Sequence, residues 1–516
     1  MTRLKTQVLI IGGGATGAGL ARDLSLRGVP CLLVERGDIA AGASGANHGL
    51  LHSGARYVAK DPQAAMECAA EGAILKKVAA GCIEDTGGLF VAVAGDDERY
   101  VADFPSHCHR CGVACEPLAL GEAREMEPVL SEKLIAAFKV PDAAINPFKL
   151  VFENIDEALS LGTDVRPHTR VTGFRRGRRG LEAALLRDMQ SGAALTVEAA
   201  QFVNAAGAWA AEVAALAGLE IPMPYSKGSL LVTERRLARR VINRLRSSAD
   251  ADILVPGGTV SPLGTTSVRL DRLEDCRPTI PEIDRIIDAA SKMVPALAAT
   301  RFIRAYAGVR PLVGAKTPHD DRAVSRGFAL VDHAAEGCDN LVTITGGKLS
   351  TYRKMAEKTA DLVCAKLGVA AACRTAVQPL AAGGASRWAA PGLAPRLWLK
   401  AQDPEDLLLC ECEMVPQSAV DEIVDAIRRQ KAVVDIRAIG QRSRIGKGTC
   451  QGAFCAVRLA AYLCDRGLLG AGDGPADIRA FLVSRWKGLR PVLWGRSLVQ
   501  EELQEALHCG LFGLEL

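Results

Sequence analysis

Four cysteines near the end of the chain have the residue type and spacing of a metal-binding set. Cys410 and Cys412 form a Cys-X-Cys pair, and Cys450 and Cys455 follow in a glycine-rich stretch. Thiolates in such sets ligate iron–sulfur clusters, and closely paired thiolates also bind zinc in a tetrahedron. We favour an iron–sulfur cluster, because a glycine-rich backbone can approach it closely, and keep zinc as the alternative.

Three glycines near the start of the chain, Gly12, Gly14 and Gly17, have the G-x-G-x-x-G spacing of a phosphate-binding turn. An apolar strand is predicted at 7–11, the glycine turn at 12–17 and a helix at 18–27. A second strand follows at 29–34 and ends at the carboxylate of Glu35. In this order the glycines admit a pyrophosphate, the helix N-terminus attracts it, and the carboxylate accepts from ribose hydroxyls. The combination predicts an adenine-dinucleotide site.

The segment from Arg36 to Tyr57 is rich in glycine, alanine and serine. Small residues let the backbone run close to a ligand, and a long loop of this kind after the acidic residue favours FAD over a nicotinamide cofactor. His48 and His52 lie in this loop and have two interpretations. They are proton-transfer groups near a flavin ring, with His52 the stronger candidate, or they bond to the backbone and shape the loop.

Two cationic side chains further along are candidates for binding an anionic substrate. Arg310 lies within an apolar, β-branched run, where a charge is costly unless it is paired. Its planar guanidinium suits a phosphate or a carboxylate. Lys348 follows a strand and a glycine turn, and its alternative is a salt bridge at the surface.

The composition excludes several classes of protein. A net charge of +4 and 4% aromatic residues argue against nucleic acid as the main partner. No run of apolar residues is long enough to span a bilayer. The sixteen cysteines are scattered, which indicates a reducing cytoplasm and not a disulfide scaffold. The cluster Cys108, Cys111 and Cys115 has short, ligand-like spacings but no second ligand half nearby, so we interpret it as structural or surface and keep a metal site as the alternative.

The elements that must position these residues predict an α/β fold: a Rossmann-like FAD domain, an antiparallel sheet that caps the substrate, and a small, mostly α, C-terminal cluster domain. FAD-binding parts are expected at about 1–90, 145–215 and 335–375, capping parts at 91–144 and 216–334, a linker at 376–405, the cluster domain at 406–463 and a tail, which is a candidate docking segment, at 464–516. The individual elements expected within these parts include strands at 163–171, 227–233, 252–256 and 264–269 and helices at 148–159, 280–293 and 418–429.

These motifs resemble those of the FAD-dependent glycerol-3-phosphate dehydrogenases. The stretch from Asn47 to Tyr57 is especially close to the large A subunit of the anaerobic, multi-subunit type. The four-cysteine region resembles the bacterioferritin-associated-ferredoxin-like domain, which holds a 2Fe–2S cluster. The resemblance covers nearly the whole chain.

The resemblance implies a set of site residues. Cofactor-binding positions are Gly12, Gly14, Ala15, Thr16, Gly17, Glu35, Arg36, Gly42, Ser44, Asn47, His48, Gly49, Leu50, Val171, Ala206, Gly207, Trp209, Gly347, Lys348, Leu349, Ser350 and Thr351. Substrate-binding positions are Arg56, Arg310, Arg326 and Lys348. Catalysis is assigned to His52, Arg310 and Lys348, and cluster ligation to the four cysteines Cys410, Cys412, Cys450 and Cys455.

The resemblance also implies a reaction and partners. FAD would oxidise sn-glycerol 3-phosphate to dihydroxyacetone phosphate, and electrons would pass through the 2Fe–2S cluster to quinone. The implied partners are a second flavoprotein subunit, together with a membrane-attached iron–sulfur subunit, which would hold the chain at the inner face of the cell membrane. The alternatives are a dehydrogenase for 2-hydroxyglutarate or an amino acid, and a non-catalytic electron-transfer or iron-handling scaffold.

Overall fold

The computed structural model describes residues 2–312, 327–381, 384–470 and 472–514. The strands are β1 Thr2–Ile11, β2 Cys31–Val34, β3 Leu50–Leu51, β4 Ile83–Glu84, β5 Gly88–Val93, β6 Glu116–Leu118, β7 Leu134–Val140, β8 Ala143–Ile145, β9 Asp164–Arg166, β10 Thr169–Arg176, β11 Leu181–Asp188, β12 Ala194–Asn204, β13 Tyr225–Thr233, β14 Val241–Arg244, β15 Ile253–Leu254, β16 Pro262–Gly264, β17 Val268–Leu270, β18 Phe302–Pro311, β19 Phe328–Asp332, β20 Leu341–Gly346, β21 Leu408–Cys410 and β22 Val415–Pro416. The helices are α1 Ala15–Leu26, α2 Pro62–Val78, α3 Glu98–Arg110, α4 Leu120–Met126, α5 Pro147–Ser160, α6 Ala210–Leu216, α7 Ile280–Ala290, α8 Tyr352–Leu367, α9 Leu393–Ala401, α10 Gln417–Arg429, α11 Ile436–Arg442, α12 Cys455–Asp465, α13 Asp473–Leu489 and α14 Arg496–Phe512.

The first sheet has a parallel centre in the spatial order β9–β2–β1–β12–β20. The hairpin β10–β11 extends it through β12, and β19 pairs antiparallel with β20. Helices α1, α5 and α8 pack together on one face, where an apolar core includes Ile10, Leu20 and Phe152. Because the parallel strands end at one edge, the residues that follow them meet there.

The second sheet follows the order β17–β13–β16–β15–β14–β5–β7–β6, with β18 on the other side of β13. Its pairs are antiparallel, as predicted for the capping sheet, except that β14 pairs parallel with β5. Helix α7 packs on β13, and its Ile283 and Ile286 lie in the core of this sheet. The sheet thereby fixes the substrate-side strand β18.

The C-terminal region is mostly helical, with the hairpin β21–β22 beside α9 to α14. The stretch predicted to be a linker is partly folded into this region: a 3-10 helix at Ala385–Ala389 and α9 place Trp388 and Ala394 in its core. Its alanine- and proline-rich composition predicts a loop. Trp388, however, brings a large apolar ring that is stabilised by burial.

Several predicted boundaries differ from the structure. The strand predicted at 264–269 is wrong, because 265–267 lie outside a strand between β16 and β17, and the strand predicted at 252–256 is limited to Ile253–Leu254. Strand β1 starts at Thr2, since its exposed first half still pairs with β12. Helix α1 begins at Ala15, inside the segment predicted as the turn, so that Gly17 lies in its first turn, and α7 ends at Ala290. The strand predicted at 163–171 is two strands, because the chain turns at His168, whose φ is +53°. Hydrophobic pattern alone does not mark such a turn.

Candidate functional site

The glycine turn is packed too tightly for side chains. Gly12 has a φ of +120°, and a Cβ on it would lie 2.5 Å from the Ala205 carbonyl oxygen. A Cβ on Gly17 would lie 1.9 Å from the Gly12 oxygen. These two glycines therefore let β1, α1 and β12 come together at the edge of the sheet.

Helix α1 presents an N-terminus without a side-chain cap. Its N-cap residue is Gly14, which has no side chain, while the Ala15 N–H donates to Ser44 Oγ at 2.9 Å. The other N–H groups of the first turn point out of the helix end and carry its partial positive charge. This is a binding site for phosphate.

The carboxylate of Glu35 is held at the end of β2. Its Oε2 accepts from the Gly13 N–H and its Oε1 from the Gly37 N–H, each at 2.8 Å. A carboxylate has further lone pairs, so Glu35 can also accept from ribose hydroxyls. Next to it, the Arg36 guanidinium stacks 4.1 Å from the centre of a Trp209 ring.

A cleft of about 620 Å³ runs from this end of the sheet to the capping sheet. The predicted site residues that line it are Gly12, Gly14, Ala15, Thr16, Glu35, Arg36, Gly42, Ser44, Asn47, His48, Leu50, His52, Arg56, Val171, Ala206, Gly207, Trp209, Arg310, Gly347, Lys348 and Leu349. One cleft thus brings together residues that follow the strands of the first sheet and residues of the capping sheet.

Four predicted cofactor-binding residues lie behind this lining. Gly17 packs within the turn, and Gly49 has a φ of +68° in the loop wall. Ser350 Oγ accepts from the His52 N–H at 3.1 Å, and Thr351 Oγ1 accepts from the Lys348 N–H at 3.2 Å. Their side chains position the loop and the helix that form the cleft. Arg326 lies outside the described residues.

Three cationic side chains converge at the capping end. Arg56 donates to the buried Asp252 at 2.8 Å. Arg310 donates to the Thr266 carbonyl at 3.0 Å and to Thr265 Oγ1. The Lys348 ammonium lies 4.9 Å from the centre of the Tyr57 ring. These contacts fix the direction of the cations and leave an anion-binding wall.

The two loop histidines lie side by side, with ring centres 5.7 Å apart. Burial, together with the charges of Arg310 and Arg56, lowers the pKa of His48 to about 3. Its Nδ1 accepts from the Leu50 N–H at 3.2 Å, so His48 is a neutral donor through Nε2. His52 is 8% exposed, and its Nε2 lies 3.5 Å from the Tyr57 hydroxyl.

The site also contains residues that the sequence did not single out. Tyr57 contacts both His52 and Lys348, while Asp252, Thr265 and Thr266 hold the two arginines. Asp252 is 196 positions from Arg56. Only the fold brings such residues together, and no local pattern marks them.

The four C-terminal cysteines are neighbours. Cys412 Sγ lies 3.8 Å from Cys410 Sγ and 3.7 Å from Cys450 Sγ. Hydrogen bonds from Cys412 and Cys455 lower the pKa of both Cys410 and Cys450. In the part of the chain that the structure describes, no cluster of three or more histidine, cysteine or carboxylate side chains is already arranged to hold a metal ion. The same hydrogen bonds raise the pKa of Cys412 and Cys455, so the four thiols supply proximity, and two of them supply the thiolate character that metal ligation requires.

Glycine also matters at the thiol site. A Cβ on Gly448 would lie 2.5 Å from Cys412 Sγ, so the loop reaches the thiol only with glycine there. Beside the loop, Arg442 is bound to the buried Asp38 of the flavin-side loop at 2.7 Å. The ion pair connects the thiol region to the nucleotide cleft.

In the region of the Cys108 cluster, Cys108 and Cys111 are buried in an apolar core.

Comparisons with known proteins agree with this geometry. The model of the FAD dependent oxidoreductase family matches residues 7–353. The A subunit of the anaerobic glycerol-3-phosphate dehydrogenase of Escherichia coli K12 is 42% identical, over 99% of this chain and 97% of the relative. The chain therefore belongs to the FAD dependent oxidoreductase family.

Two further relatives extend the comparison. The A1 subunit of the anaerobic glycerol-3-phosphate dehydrogenase of Haloferax volcanii is 36% identical, over 97% of this chain and 89% of the relative. The solved structure of a glycerol-3-phosphate dehydrogenase from Bacillus halodurans in complex with FAD shares the fold, with a TM-score of 0.67 and 20% identity over 95% of this chain and 97% of that one.

The chain, as an FAD-dependent oxidoreductase, has a cleft that fits its cofactor. The bare N-terminus of α1 suits the pyrophosphate, Glu35 suits a ribose, and the cleft continues to Gly347 and Lys348. Lys348 supplies a positive charge at that end, which favours an anionic reduced ring.

Proposed function

We propose that this chain oxidises sn-glycerol 3-phosphate to dihydroxyacetone phosphate with FAD and passes the electrons through a 2Fe–2S cluster to partner redox subunits and quinone. The observation that carries the substrate assignment is the convergence of Arg56, Arg310 and Lys348 on one wall of the FAD cleft. A phosphate dianion uses three cations more fully than a single carboxylate does.

The side chains divide the work of binding and proton transfer. Arg56 and Arg310 are held by Asp252 and Thr266, so their N–H groups are preorganised for phosphate oxygens. His48 stays neutral and donates through Nε2, which suits a substrate hydroxyl or phosphate oxygen. Its low pKa makes it a poor proton acceptor.

His52 is the proposed base. It would accept the proton of the secondary hydroxyl at Nε2, which faces Tyr57, while its backbone N–H is held by Ser350. Bound FAD supplies the two-electron acceptor for the carbon-bound hydride. Loss of that hydride and of the hydroxyl proton converts the alcohol to a ketone.

The four thiols support the cluster proposal by their adjacency and by the Cys-X-Cys and Cys-X4-Cys spacing. The distances of 3.7 and 3.8 Å are those of two thiolates on one tetrahedral ion, as both an iron of a cluster and zinc require. Iron and acid-labile sulfide assays of protein purified without oxygen decide between them: iron with sulfide supports the proposal, and zinc alone contradicts it.

An exposed apolar surface supports docking of a redox partner. Helix α14 exposes Val499 and Leu503, at 66% and 61%, on one face, and its His508 bonds to the Ala453 carbonyl in the thiol loop. Phe454, also in that loop, is 59% exposed, and Cys412 is exposed as well. A partner seated on these residues would receive electrons at the open side of the cluster. Within the described residues, no helix has the length and apolar character to cross a bilayer.

The partners proposed for this surface are the second flavoprotein subunit, together with the membrane-attached iron–sulfur subunit. Through them the chain would lie in the cytoplasm, peripheral to the inner face of the membrane. Leu503→Glu should weaken co-purification of the partners while flavin reduction by substrate stays unchanged, since Leu503 does not line the cleft.

Flavin bleaching without oxygen tests the substrate. Glycerol 3-phosphate should reduce the bound flavin, whereas 2-hydroxyglutarate and glycine should not. Reduction by either of the latter two would replace the substrate assignment, and a flavin that no substrate reduces would favour a non-catalytic scaffold.

Substitution of Arg310 tests the anion wall. Arg310→Gln should lower kcat/KM for glycerol 3-phosphate by about 10- to 100-fold, the range for one hydrogen bond to a charged group. Arg187→Gln, on an exposed position of β11, is the matched control and should leave kcat/KM unchanged. Equal activity of the two variants would contradict phosphate binding by Arg310.

A further inference from the structure

A second cavity, of about 770 Å³, lies between the flavin side and the C-terminal region. Three parts of the molecule line it: the loop wall with Gly49 and the start of α5, the capping strand β18, and the helices α11 and α13 with the thiol loop. It shares the wall at 46–48 with the flavin cleft but opens on the other side of that wall.

Four cations line this cavity without a carboxylate partner: Arg304, Arg437, Lys447 and Arg485 form no ion pair among the described residues. Lys447 donates to the carbonyls of Gln441 and Ser443, and Arg485 stacks on Phe481. Burial lowers the pKa of Arg304, and the charge of Arg437 lowers it further. The charges of Arg304 and Arg437 therefore repel each other, and burial lowers the pKa of Lys447 as well.

Three carboxylates line the cavity: Glu84 is paired with Arg236, while Asp435 and Asp477 each accept one backbone N–H group. Asp435 accepts from the Ala438 N–H at 2.6 Å and Asp477 from the Ile436 N–H at 2.9 Å. Burial raises the pKa of Asp477 to about 6. Arg444, a fifth cation of the cavity, is paired with Glu413 at 3.0 Å. Arg444 and Lys149, which both line the cavity, are thus paired with carboxylates, whereas the other four basic side chains are not paired with any carboxylate that the structure describes.

Several polar atoms in the wall are buried without a hydrogen-bond partner. They are Arg304 Nε, Gln441 Oε1 and Gln451 Oε1. Buried donors and acceptors of this kind are costly unless a ligand or water satisfies them. The aromatic rings of Phe148, Tyr306 and Phe481 line the same cavity, and the Lys447 ammonium lies 4.6 Å from the centre of the Phe148 ring.

We propose that this cavity binds a phosphorylated organic anion of mononucleotide size, with the phosphate on Arg304 and Arg437 and the organic part against Phe148 and Tyr306. Guanidinium groups bind phosphate oxygens in pairs, and a flat ring packs well on aromatic walls. The free acceptors of Gln441 and Gln451 then suit the N–H or O–H groups of the organic part.

Calorimetric titration of the full, FAD-saturated chain tests this site. The probes are adenosine monophosphate, flavin mononucleotide and inorganic phosphate. At least one of the two nucleotides should bind at one molecule per chain, more tightly than inorganic phosphate. Binding of neither nucleotide, or equal binding of inorganic phosphate, would overturn the proposal.

Two variants and a matched control locate the ligand. Arg304→Gln and Arg437→Gln should each raise the dissociation constant of the bound nucleotide at least ~10-fold. Arg428→Gln, the same change at an exposed position of α10, should leave it unchanged. Unchanged affinity in both cavity variants would place the ligand elsewhere and contradict the proposal.

A stability measurement keeps the test independent of folding defects. Because Arg304 is repelled by its neighbours, Arg304→Gln should melt at a higher temperature than the wild type without ligand, and added nucleotide should stabilise it less. A lower melting temperature together with unchanged nucleotide stabilisation would show a structural arginine and overturn the site. Flavin reduction by glycerol 3-phosphate should persist in this variant, so the cavity and the proposed reaction are tested separately.

Discussion

The flavin cleft and the thiol loop position their candidate binding groups by different means. The cleft is built at the ends of β1, β2, β12 and β20, so the sheet itself fixes its backbone donors. The thiol loop takes Cys410 from the end of β21 and Cys455 from the start of α12, while Cys412 and Cys450 lie in turns. Regular elements preorganise the first site, whereas the second depends on a small domain keeping its turns in place.

The difference teaches where each site is vulnerable. The cleft should fail when its closest backbone contacts are broken. The thiol loop should lose its bound metal when one of the four cysteines is replaced. It should also be destabilised when the C-terminal domain loses its contact with the flavin side through Arg442 and Asp38.

The largest effect is expected at Gly17. Gly17→Val would force side-chain atoms into the Gly12 carbonyl, which lies 1.9 Å from a Cβ position, so the turn cannot close and bound flavin should be lost. The flavin-to-protein ratio after purification measures this. Gly121→Ala, where a Cβ meets open space, should keep its flavin. Normal flavin content in Gly17→Val would refute the role given to the turn.

Cys412→Ser should separate the two sites. Serine is a poor ligand for iron, so the cluster and electron transfer to an artificial quinone should be lost, while flavin bleaching by substrate continues. Cys464→Ser, near the end of α12, should retain both activities. Loss of flavin bleaching in Cys412→Ser, with flavin still bound, would show that the sites are not separable.

Asp38→Asn should weaken the connection between the regions. It leaves the Arg442 guanidinium, 1% exposed, without its carboxylate, and breaking such a buried pair costs about 3–5 kcal/mol. The C-terminal region should then melt separately in calorimetry. Asp271→Asn, at an exposed position, is the control, and the double variant Asp38→Leu with Arg442→Met should recover much of the loss. A single unchanged transition in Asp38→Asn would contradict the connection.

The smallest effect concerns His48 and pH. Its pKa is depressed to about 3 in the folded chain, so its contribution to stability is present above its ordinary pKa of about 6.5 and is lost as the pH falls toward 3. His48→Gln should therefore lose less stability than the wild type on acidification, by up to about 2 kcal/mol near pH 5. The free energy of unfolding is measured with denaturant at about pH 7 and about pH 5. His109→Gln, a control at an exposed position, should follow the wild type at both pH values.

The sequence predicts the parts of the fold that local patterns determine. The turn at Gly12 and Gly14, the carboxylate of Glu35 and the Cys-X-Cys pair depend on neighbours in sequence, and the structure places them at the expected elements. Arg310 in its apolar run and Lys348 after its glycine turn were also candidates from local sequence, and both line the cleft.

Long-range pairs could not be predicted in the same way. The basic residues near the four cysteines are an example: the fold pairs Arg442 with Asp38, 404 positions away, and Arg444 with Glu413. Asp252 under Arg56 and the parallel pairing of β14 with β5 likewise follow from how distant segments meet.

The most direct test joins the two sites in one measurement. Substrate is added in small steps to the protein without oxygen, and the visible flavin band and the electron paramagnetic resonance signal of a reduced cluster are followed together. Glycerol 3-phosphate should bleach the flavin and produce the cluster signal, with no signal in Cys412→Ser. A flavin that glycerol 3-phosphate leaves oxidised, or a bleached flavin with no cluster signal in the wild type, would contradict the account.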